Sequence, residues 1–270
     1  MSENRHLPDA ERLSVLIATI LLAYALTRVI ALPPYKLSTS IFSVDLNILV
    51  EASALVPFLT AGLMATGMDW LLTKHPAIHA QNRIEHWILP ALTAWVAGIF
   101  IYSLSDSPAW WAAYVLAALL LVAVIYAEYV SVDSTDARYG LASALLTGLG
   151  FALFLLIAIA LRTVGVRLLV LLPVLFLSAW LATLRMLHLR LRGRWEFGWA
   201  TGTALALIQF AAAMHYWPLT PLRFGLVLLA PAYALAAVAA NLREDMPTRR
   251  ALSEPLTTML IVWGLAVVFS

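Results

Sequence analysis

The feature that most constrains this 270-residue chain is a series of long apolar runs bounded by charged residues. An 18-residue helix is about 27 Å long, close to the roughly 30 Å hydrocarbon core of a bilayer. Because that core holds no water to bond the backbone, such runs must be helices. Nine runs meet this description: 13–27, 52–68, 87–104, 109–127, 141–161, 168–184, 197–214, 224–242 and 255–270. We therefore predict an all-α, polytopic transmembrane helical bundle of about nine spans, or of eight if the last run does not fully cross.

The composition excludes several other classes of protein. Apolar residues make up 63% of the chain and charged residues 12%, whereas a soluble domain carries about a quarter charged residues. The 17 Lys and Arg against 15 Asp and Glu are too evenly balanced for a nucleic-acid binder. The sequence has no cysteine, which excludes thiolate metal sites, thiol catalysis and disulfides. The expected partner is the lipid bilayer.

Basic residues are concentrated in alternate loops, most densely at Arg190, Arg192 and Arg194. Cytoplasmic loops carry the excess of Lys and Arg, so we predict a cytoplasmic N-terminus with residues 1–12 as a polar tail. The polar start shows no cleavable signal, and the first run is expected to remain as an anchor. Loops are too short for a soluble domain, and we expect residues 1–270 to form one integral-membrane domain in the plasma or inner membrane. The same three arginines are candidate contacts for anionic lipid headgroups, each contributing about 1 kcal/mol.

Small residues four apart allow membrane helices to approach closely, and we expect them to mediate packing within the chain. Three runs carry such stripes: Ala144, Gly148 and Ala152; Gly198, Gly202 and Ala206; and Ala232, Ala236 and Ala240.

Ionisable residues lie at the ends of the runs or between them, which argues against an ion-coupled transporter, because such proteins need charge near mid-membrane. Asp69, Glu128 and Arg185 end three runs at the same predicted depth. They are the candidate catalytic residues for an enzyme at the cytoplasmic face. His75, His79 or His86 would assist them.

The histidine-containing segment between the second and third runs is a candidate metal site. On a helix starting at Pro76, His79 and His86 share one face, and Glu85 is a further candidate ligand. The spacing matches no established metal motif, and a solvated interfacial helix accounts for the same residues. We predict no metal and no other cofactor.

A polar loop carries two aspartates three residues apart, Asp133 and Asp136, beside Arg138. The pattern resembles the magnesium-binding aspartate motifs of lipid phosphotransferases, but the further aspartates of those motifs are missing. A capped polar loop is the better interpretation.

Three stretches of the sequence carry a resemblance to a known group of proteins: 67–72 with His75 and Pro76, then 127–129, and 133–139. They resemble an uncharacterised bacterial family of multi-pass membrane proteins of unknown function. The resemblance implies a bacterial inner-membrane protein and transfers no catalytic residue.

Three functions remain open. The first is a non-catalytic structural, assembly or accessory membrane component that contacts lipid or a membrane protein partner. The second is the enzyme described above, acting on lipid or isoprenoid substrates. The third is a carrier for apolar or amphipathic solutes that uses helix kinks at Pro57, Pro173 and Pro231.

Overall fold

The computed structural model describes residues 8–29, 35–41, 44–50, 55–75, 84–104 and 107–268. These residues form nine α-helices and one hairpin of two strands. The helices are α1 (Ala10–Val29), α2 (Val56–Leu72), α3 (Glu85–Ser103), α4 (Ala109–Ser131), α5 (Tyr139–Val164), α6 (Leu168–Arg190), α7 (Phe197–His215), α8 (Pro221–Arg243) and α9 (Thr248–Val268). Each predicted apolar run corresponds to one of these helices.

Seven helices, α3 to α9, are long and apolar enough to cross a membrane. The apolar helix α2 has 17 residues and is shorter than these seven. The helix α1 has 20 residues and includes Glu11, Arg12 and Arg28. The protein is thus a helical membrane-type chain, while nine spans and a cytoplasmic N-terminus stay predictions.

The hairpin between α1 and α2 is a feature that the sequence interpretation did not include. Strands β1 (Tyr35–Ile41) and β2 (Val44–Val50) pair antiparallel, with Tyr35 opposite Val50 and Ile41 opposite Val44. Apolar and polar residues alternate over residues 44–48 of β2 (VDLNI), which is the period of an extended strand. The alternation covers only one short segment, which is too little to predict a strand in a chain of long apolar runs.

The chain divides into two compact units, Met1–Val132 and Asp133–Ser270. In unit 1, helices α1, α2 and α3 meet around Tyr24, whose hydroxyl donates a hydrogen bond to the carbonyl oxygen of Ala94 at 2.5 Å. A Cβ added at Gly98 would lie 3.2 Å from Cα of Pro57, so α2 and α3 approach closely at this glycine. The single-domain interpretation of residues 1–270 stays a prediction.

Unit 2 contains α5 to α9, and α5 to α8 share an apolar core in which the largest fully buried side chains are Phe154 and Phe224. The indole Nε1 of Trp180 on α6 donates to Oγ1 of Thr201 on α7 at 3.0 Å. The small-residue stripe on α8 is buried, as expected for packing within the chain. The stripes on α5 and α7 are exposed, and the expectation of intramolecular packing is wrong for them. Spacing alone does not reveal which face of a helix is covered.

Charged residues end apolar runs, but they do not end the helices. Helix α4 continues past Glu128 to Ser131, and α6 continues past Arg185 to Arg190. Both side chains are buried, with relative exposures of 0% and 1%. Backbone hydrogen bonds continue a helix past a charged residue when neighbouring groups cover the charged side chain.

The prolines also differ from expectation. Pro57 lies in the first turn of α2, where its missing N–H removes no helical hydrogen bond, and the expected kink is wrong there. Pro173 and Pro231 lie inside α6 and α8, as expected. Pro255, the first residue of the ninth apolar run, lies inside α9.

Candidate functional site

The best-defined polar contact in unit 1 joins α3 to α4 near one end of both helices. Nδ1 of His86, in the first turn of α3, lies 2.8 Å from Oε2 of Glu128, in the last turn of α4. The Glu128 side chain is completely buried, and His86 is 8% exposed. A buried carboxyl group requires hydrogen-bond partners, because the desolvation cost is otherwise several kcal/mol.

Residues close to Glu128 in the chain make further contacts. Oγ of Ser131 donates to the backbone oxygen of Glu128 at 2.9 Å and approaches its Oε2 at 3.3 Å. The ring of His75, after the end of α2, packs edge-on against Tyr129 with centroids 4.4 Å apart. Two of the histidines proposed from sequence therefore make contacts between elements of unit 1.

The three candidate catalytic residues are distributed over both units. Asp69 is half-buried near the end of α2, and Glu128 is the buried partner of His86. Arg185 lies on α6, in unit 2, and is buried. Their convergence on one site stays a prediction.

The metal hypothesis receives no positive support. Within the described residues, no three His, Asp or Glu side chains are grouped so as to hold a metal ion. Glu85 begins α3 beside His86, whereas His79 lies outside the described residues.

The aspartates of the polar loop cap local backbone. Oδ1 of Asp133 accepts hydrogen bonds from N and Oγ1 of Thr135 at 2.9 Å and 2.6 Å. Oδ1 of Asp136 accepts from the backbone N of Arg138 at 2.8 Å. This is the capped loop that the sequence favoured over a magnesium motif.

In unit 2, one of the three arginines proposed for lipid binding lines a cavity of about 420 Å³. Its polar lining residues are Arg190, the last residue of α6, Ser143 and Thr147 on α5, and Tyr233 on α8. The remaining lining consists of Gly140, Ala144, Gly148, Phe151 and Met186. We call this cavity the Arg190 cleft. It combines a cation, neutral donors and an apolar floor.

Two residues at the end of α8 and just beyond it position the guanidinium of Arg190. Nη2 donates to Oδ1 of Asn241 and to Oε2 of Glu244, both at 3.0 Å. The amide of Asn241 in turn donates to the backbone oxygen of Ala251 on α9 at 3.1 Å. Over the described part of the chain, Nε and Nη1 of Arg190 make no hydrogen bond. Those donors remain available to an anion.

The other two arginines of the group differ from Arg190. Arg192 is exposed and has a positive φ of 50°, in the tight turn after α6. Arg194 lies 3.6 Å from Glu196, which also accepts from Nε of Arg243 at 2.8 Å. Neither Arg192 nor Arg194 lines the Arg190 cleft.

Sequence reasoning missed Ser143, Thr147 and Tyr233. A signal for two of them was present, because Gly140, Ser143 and Thr147 are spaced three and four apart and therefore share one helix face. Tyr233 comes from a different helix, and no local pattern links it to α5.

The sequence profile of one protein family matches residues 32–269, which is most of the chain. That family is described as a protein of unknown function, DUF5656. The chain belongs to the DUF5656 family. Membership confirms the resemblance to an uncharacterised family that the sequence motifs suggested. No curated protein and no solved structure shows a significant match.

Proposed function

We propose that this protein is a non-catalytic accessory component of its membrane that binds the headgroup of an anionic lipid in the Arg190 cleft. The observation that carries the proposal is the lining of this cleft, which places available guanidinium donors beside hydroxyls and a small-residue surface. The proposal includes a bacterial inner membrane, a cytoplasmic N-terminus and nine spans, so that the cleft opens on the cytoplasmic side.

The chemistry of the cleft suits a phosphate-bearing amphiphile. Guanidinium groups bind phosphate oxygens through paired, charge-assisted hydrogen bonds. The hydroxyls of Ser143 and Thr147 can donate to the same oxygens. Gly140, Ala144 and Gly148 leave the surface of α5 without large side chains, and a Cβ added at Gly148 would meet nothing within 4 Å. An acyl chain can therefore lie against the helix.

The contacts of Arg190 with Asn241 and Glu244 affect ligand binding in two opposite ways. The carboxylate of Glu244 reduces the net positive charge of the cleft. Both residues also hold Arg190 in one conformation, which lowers the entropy lost when a ligand binds. We expect moderate affinity with a strong preference for a headgroup that can take up both remaining nitrogens.

The buried pair in unit 1 supports a non-catalytic role. The carboxylate of Glu128 contacts His86 on α3 and Ser131 on its own helix, α4. The first contact links the two helices. Such side chains contribute to the stability of the bundle. The enzyme hypothesis requires Asp69, Glu128 and Arg185 to converge on one site. The carrier hypothesis requires a continuous path for the solute.

Thermal unfolding in neutral detergent tests the lipid site. Phosphatidylglycerol should raise the Tm of the wild-type protein more than phosphatidylcholine, because a ligand that binds only the folded state stabilises it. Arg190→Gln and Gly148→Leu should each reduce this difference, the first by removing the cation and the second by filling the cleft. Gly148→Leu leaves the contacts of Arg190 with Asn241 and Glu244 intact. Arg249→Gln removes an exposed charge from the first turn of α9 and should keep the full difference.

Two results would contradict the proposal. Equal Tm shifts with both lipids, or an unchanged preference in Gly148→Leu, would exclude the Arg190 cleft as the lipid site. Incubation of the purified protein with vesicles, followed by mass spectrometry of the lipids, tests the non-catalytic part. Protein-dependent formation of a new lipid species would refute it.

A further inference from the structure

A second cavity in unit 2, of about 540 Å³, lies where α7 and α9 end and α8 begins. This volume falls within the roughly 300–1,000 Å³ of small-molecule sites. Phe210, Met214, Val227, Trp263 and Val267 contribute an apolar lining, and Arg223 is the one charged residue among the lining residues. The Arg190 cleft lies where α6 and α8 end and α5 begins. The second cavity is therefore at the opposite end of the unit.

Arg223 is placed by the start of α8. Pro221 begins the helix, and the backbone N of Arg223 donates to Oγ1 of the capping residue Thr220 at 3.4 Å. Its Nε atom is buried and has no hydrogen-bond partner, and no other hydrogen bond or ion pair of its side chain occurs within the described residues. A buried donor without a partner costs about 1–3 kcal/mol, more when it is charged. An anionic oxygen would remove this cost.

A second arginine at the same end of the unit, Arg162, differs from Arg223 because its guanidinium is engaged by partners within the protein. Arg162, in the last turn of α5, donates from Nη1 to the backbone oxygen of His215 and from Nη2 to that of Trp217, both at 2.8 Å. Its guanidinium also lies over the ring of Phe224, 5.2 Å from the centroid. Arg162 therefore holds the α7–α8 connection in place, whereas Arg223 has no such partner.

The apolar lining is arranged to accept a hydrocarbon chain. The indole Nε1 of Trp263 donates to the backbone oxygen of Val227 at 3.2 Å, so the polar atom of this ring is satisfied. Its ring stacks with Phe210 at a centroid distance of 6.3 Å. Val267 is 72% exposed while lining the cavity, which indicates that the cavity opens to the surface of the helices. All three contributing helices are long and apolar enough to span a membrane.

We propose that this cavity binds an anionic phospholipid, with its phosphate on Arg223 and one acyl chain along Phe210, Val227 and Trp263. Charge complementarity requires the negative headgroup, and the apolar lining requires the chain. A soluble anion would satisfy only Arg223. A lipid without a phosphate would fill the lining and leave the guanidinium unpaired, and in phosphatidylcholine the choline cation offsets the charge of the phosphate. This site is independent of the Arg190 cleft and stands if that proposal fails.

Fluorescence quenching by brominated lipids tests the site directly, because Trp263 lines it. The contribution of Trp263 among the 10 tryptophans is obtained as the difference between the protein and its Trp263→Phe variant. Both are reconstituted in phosphatidylcholine vesicles containing a small, equal fraction of either acyl-brominated phosphatidylglycerol or acyl-brominated phosphatidylcholine. We expect the brominated phosphatidylglycerol to quench the Trp263 contribution more strongly.

Arg223→Gln should reduce quenching by phosphatidylglycerol to the level of phosphatidylcholine. Arg167→Gln, which removes an exposed charge just before α6 at the same end of the unit, should leave the excess unchanged. Val267→Phe, which fills the cavity and keeps Arg223, should also remove the excess, so the test does not depend on one variant folding. Equal quenching by both lipids in the wild-type background, or an excess that persists in Arg223→Gln, would overturn the proposal.

Discussion

Nδ1 of His86 lies 2.8 Å from Oε2 of Glu128, and this contact links the first turn of α3 to the last turn of α4 with the carboxylate fully buried. The two residues are 42 positions apart in the chain. Their meeting requires α3 and α4 to run antiparallel with these faces opposed. The contact between His86 and Glu128 therefore depends on how α3 packs against α4.

Removing only one member of this pair should destabilise the protein. Glu128→Ala removes the carboxyl group that Nδ1 of His86 contacts, and we expect a loss of about 1–3 kcal/mol in the free energy of unfolding. Glu128→Gln retains an acceptor and should cost less. Denaturant-induced unfolding in mixed micelles measures both.

The double variant Glu128→Ala with His86→Phe should lose less than the sum of the single variants, because it leaves fewer buried polar groups unsatisfied. Glu254→Gln alters an exposed carboxyl group and serves as the control. Additive losses would show that the His86–Glu128 contact does not contribute to stability.

A second prediction concerns the close approach of α2 and α3 at Gly98. A Cβ there would lie 3.1 Å from Cε1 of Tyr24 and 3.2 Å from Cα of Pro57. The tyrosine is held by its hydrogen bond to Ala94, and the Pro57 atom is backbone, so neither can easily move. Gly98→Ala should lower the free energy of unfolding by about 1–3 kcal/mol through overpacking.

Gly62 provides the matched control on α2. An added Cβ meets nothing within 4 Å there, and Gly62→Ala should be neutral or stabilising by up to about 1 kcal/mol. Equal effects of the two substitutions in thermal or denaturant unfolding would contradict the proposed packing of α2 on α3.

A third prediction concerns acid. Nζ of Lys74 donates to Oδ2 of Asp9 at 3.0 Å, and this hydrogen bond lowers the pKa of the Asp9 carboxyl below its ordinary value of 3.8. The folded-state pKa is thus below that of the unfolded chain. The contact therefore stabilises the fold above pH 3.8 and is lost as the pH falls through the lowered value.

Asp9→Asn should accordingly lower the Tm at neutral pH, and the difference from wild type should shrink on acidification below pH 3.8. Lys74→Gln should show the same convergence, because it removes the other partner. Thermal unfolding as a function of pH measures both curves. A difference that widens with acid would contradict the assignment.

A fourth prediction concerns orientation, and the absence of native cysteine makes it directly measurable. The exposed residues Ser134 and Pro218 lie in connections on opposite predicted sides of the membrane. A membrane-impermeant maleimide added outside intact cells should label Pro218→Cys and not Ser134→Cys. Permeabilised cells, in which both should react, provide the control.

Val268→Cys extends this measurement to the end of α9. Nine spans with a cytoplasmic N-terminus place this residue outside with Pro218, so external reagent should label it. Protection from external reagent, together with labelling of Pro218→Cys, would favour the eight-span alternative.

Much of the architecture followed from local sequence. Each apolar run became a helix, because a stretch of about 18 apolar residues can satisfy its backbone only by hydrogen bonding within itself. Helix ends were less predictable. Arg185 closes an apolar run, yet α6 continues to Arg190, because the helix depends on backbone bonds and not on the hydropathy of each residue. The hairpin at 35–50 was missed because its alternation is short.

The candidate functional residues were likewise only partly predictable from the local sequence. Arg190 was identified from its charged neighbourhood, but Tyr233 reaches the Arg190 cleft from a helix more than 40 positions away, and only packing brings the two together. Arg223 belongs to no sequence motif, and only the fold shows that its Nε is buried without a hydrogen-bond partner in the described part of the chain.

The order of residues alone determined that this chain forms apolar helices of membrane-spanning length and where charge is concentrated between them, since hydropathy and helix formation act over a few neighbouring residues. The tertiary structure decided which polar side chains meet, as His86 meets Glu128, and which lack a partner among the described residues, as Nε of Arg223 does. Those outcomes depend on the rotation of each helix about its axis and on the distances between helices, which arise from contacts among residues far apart in the chain.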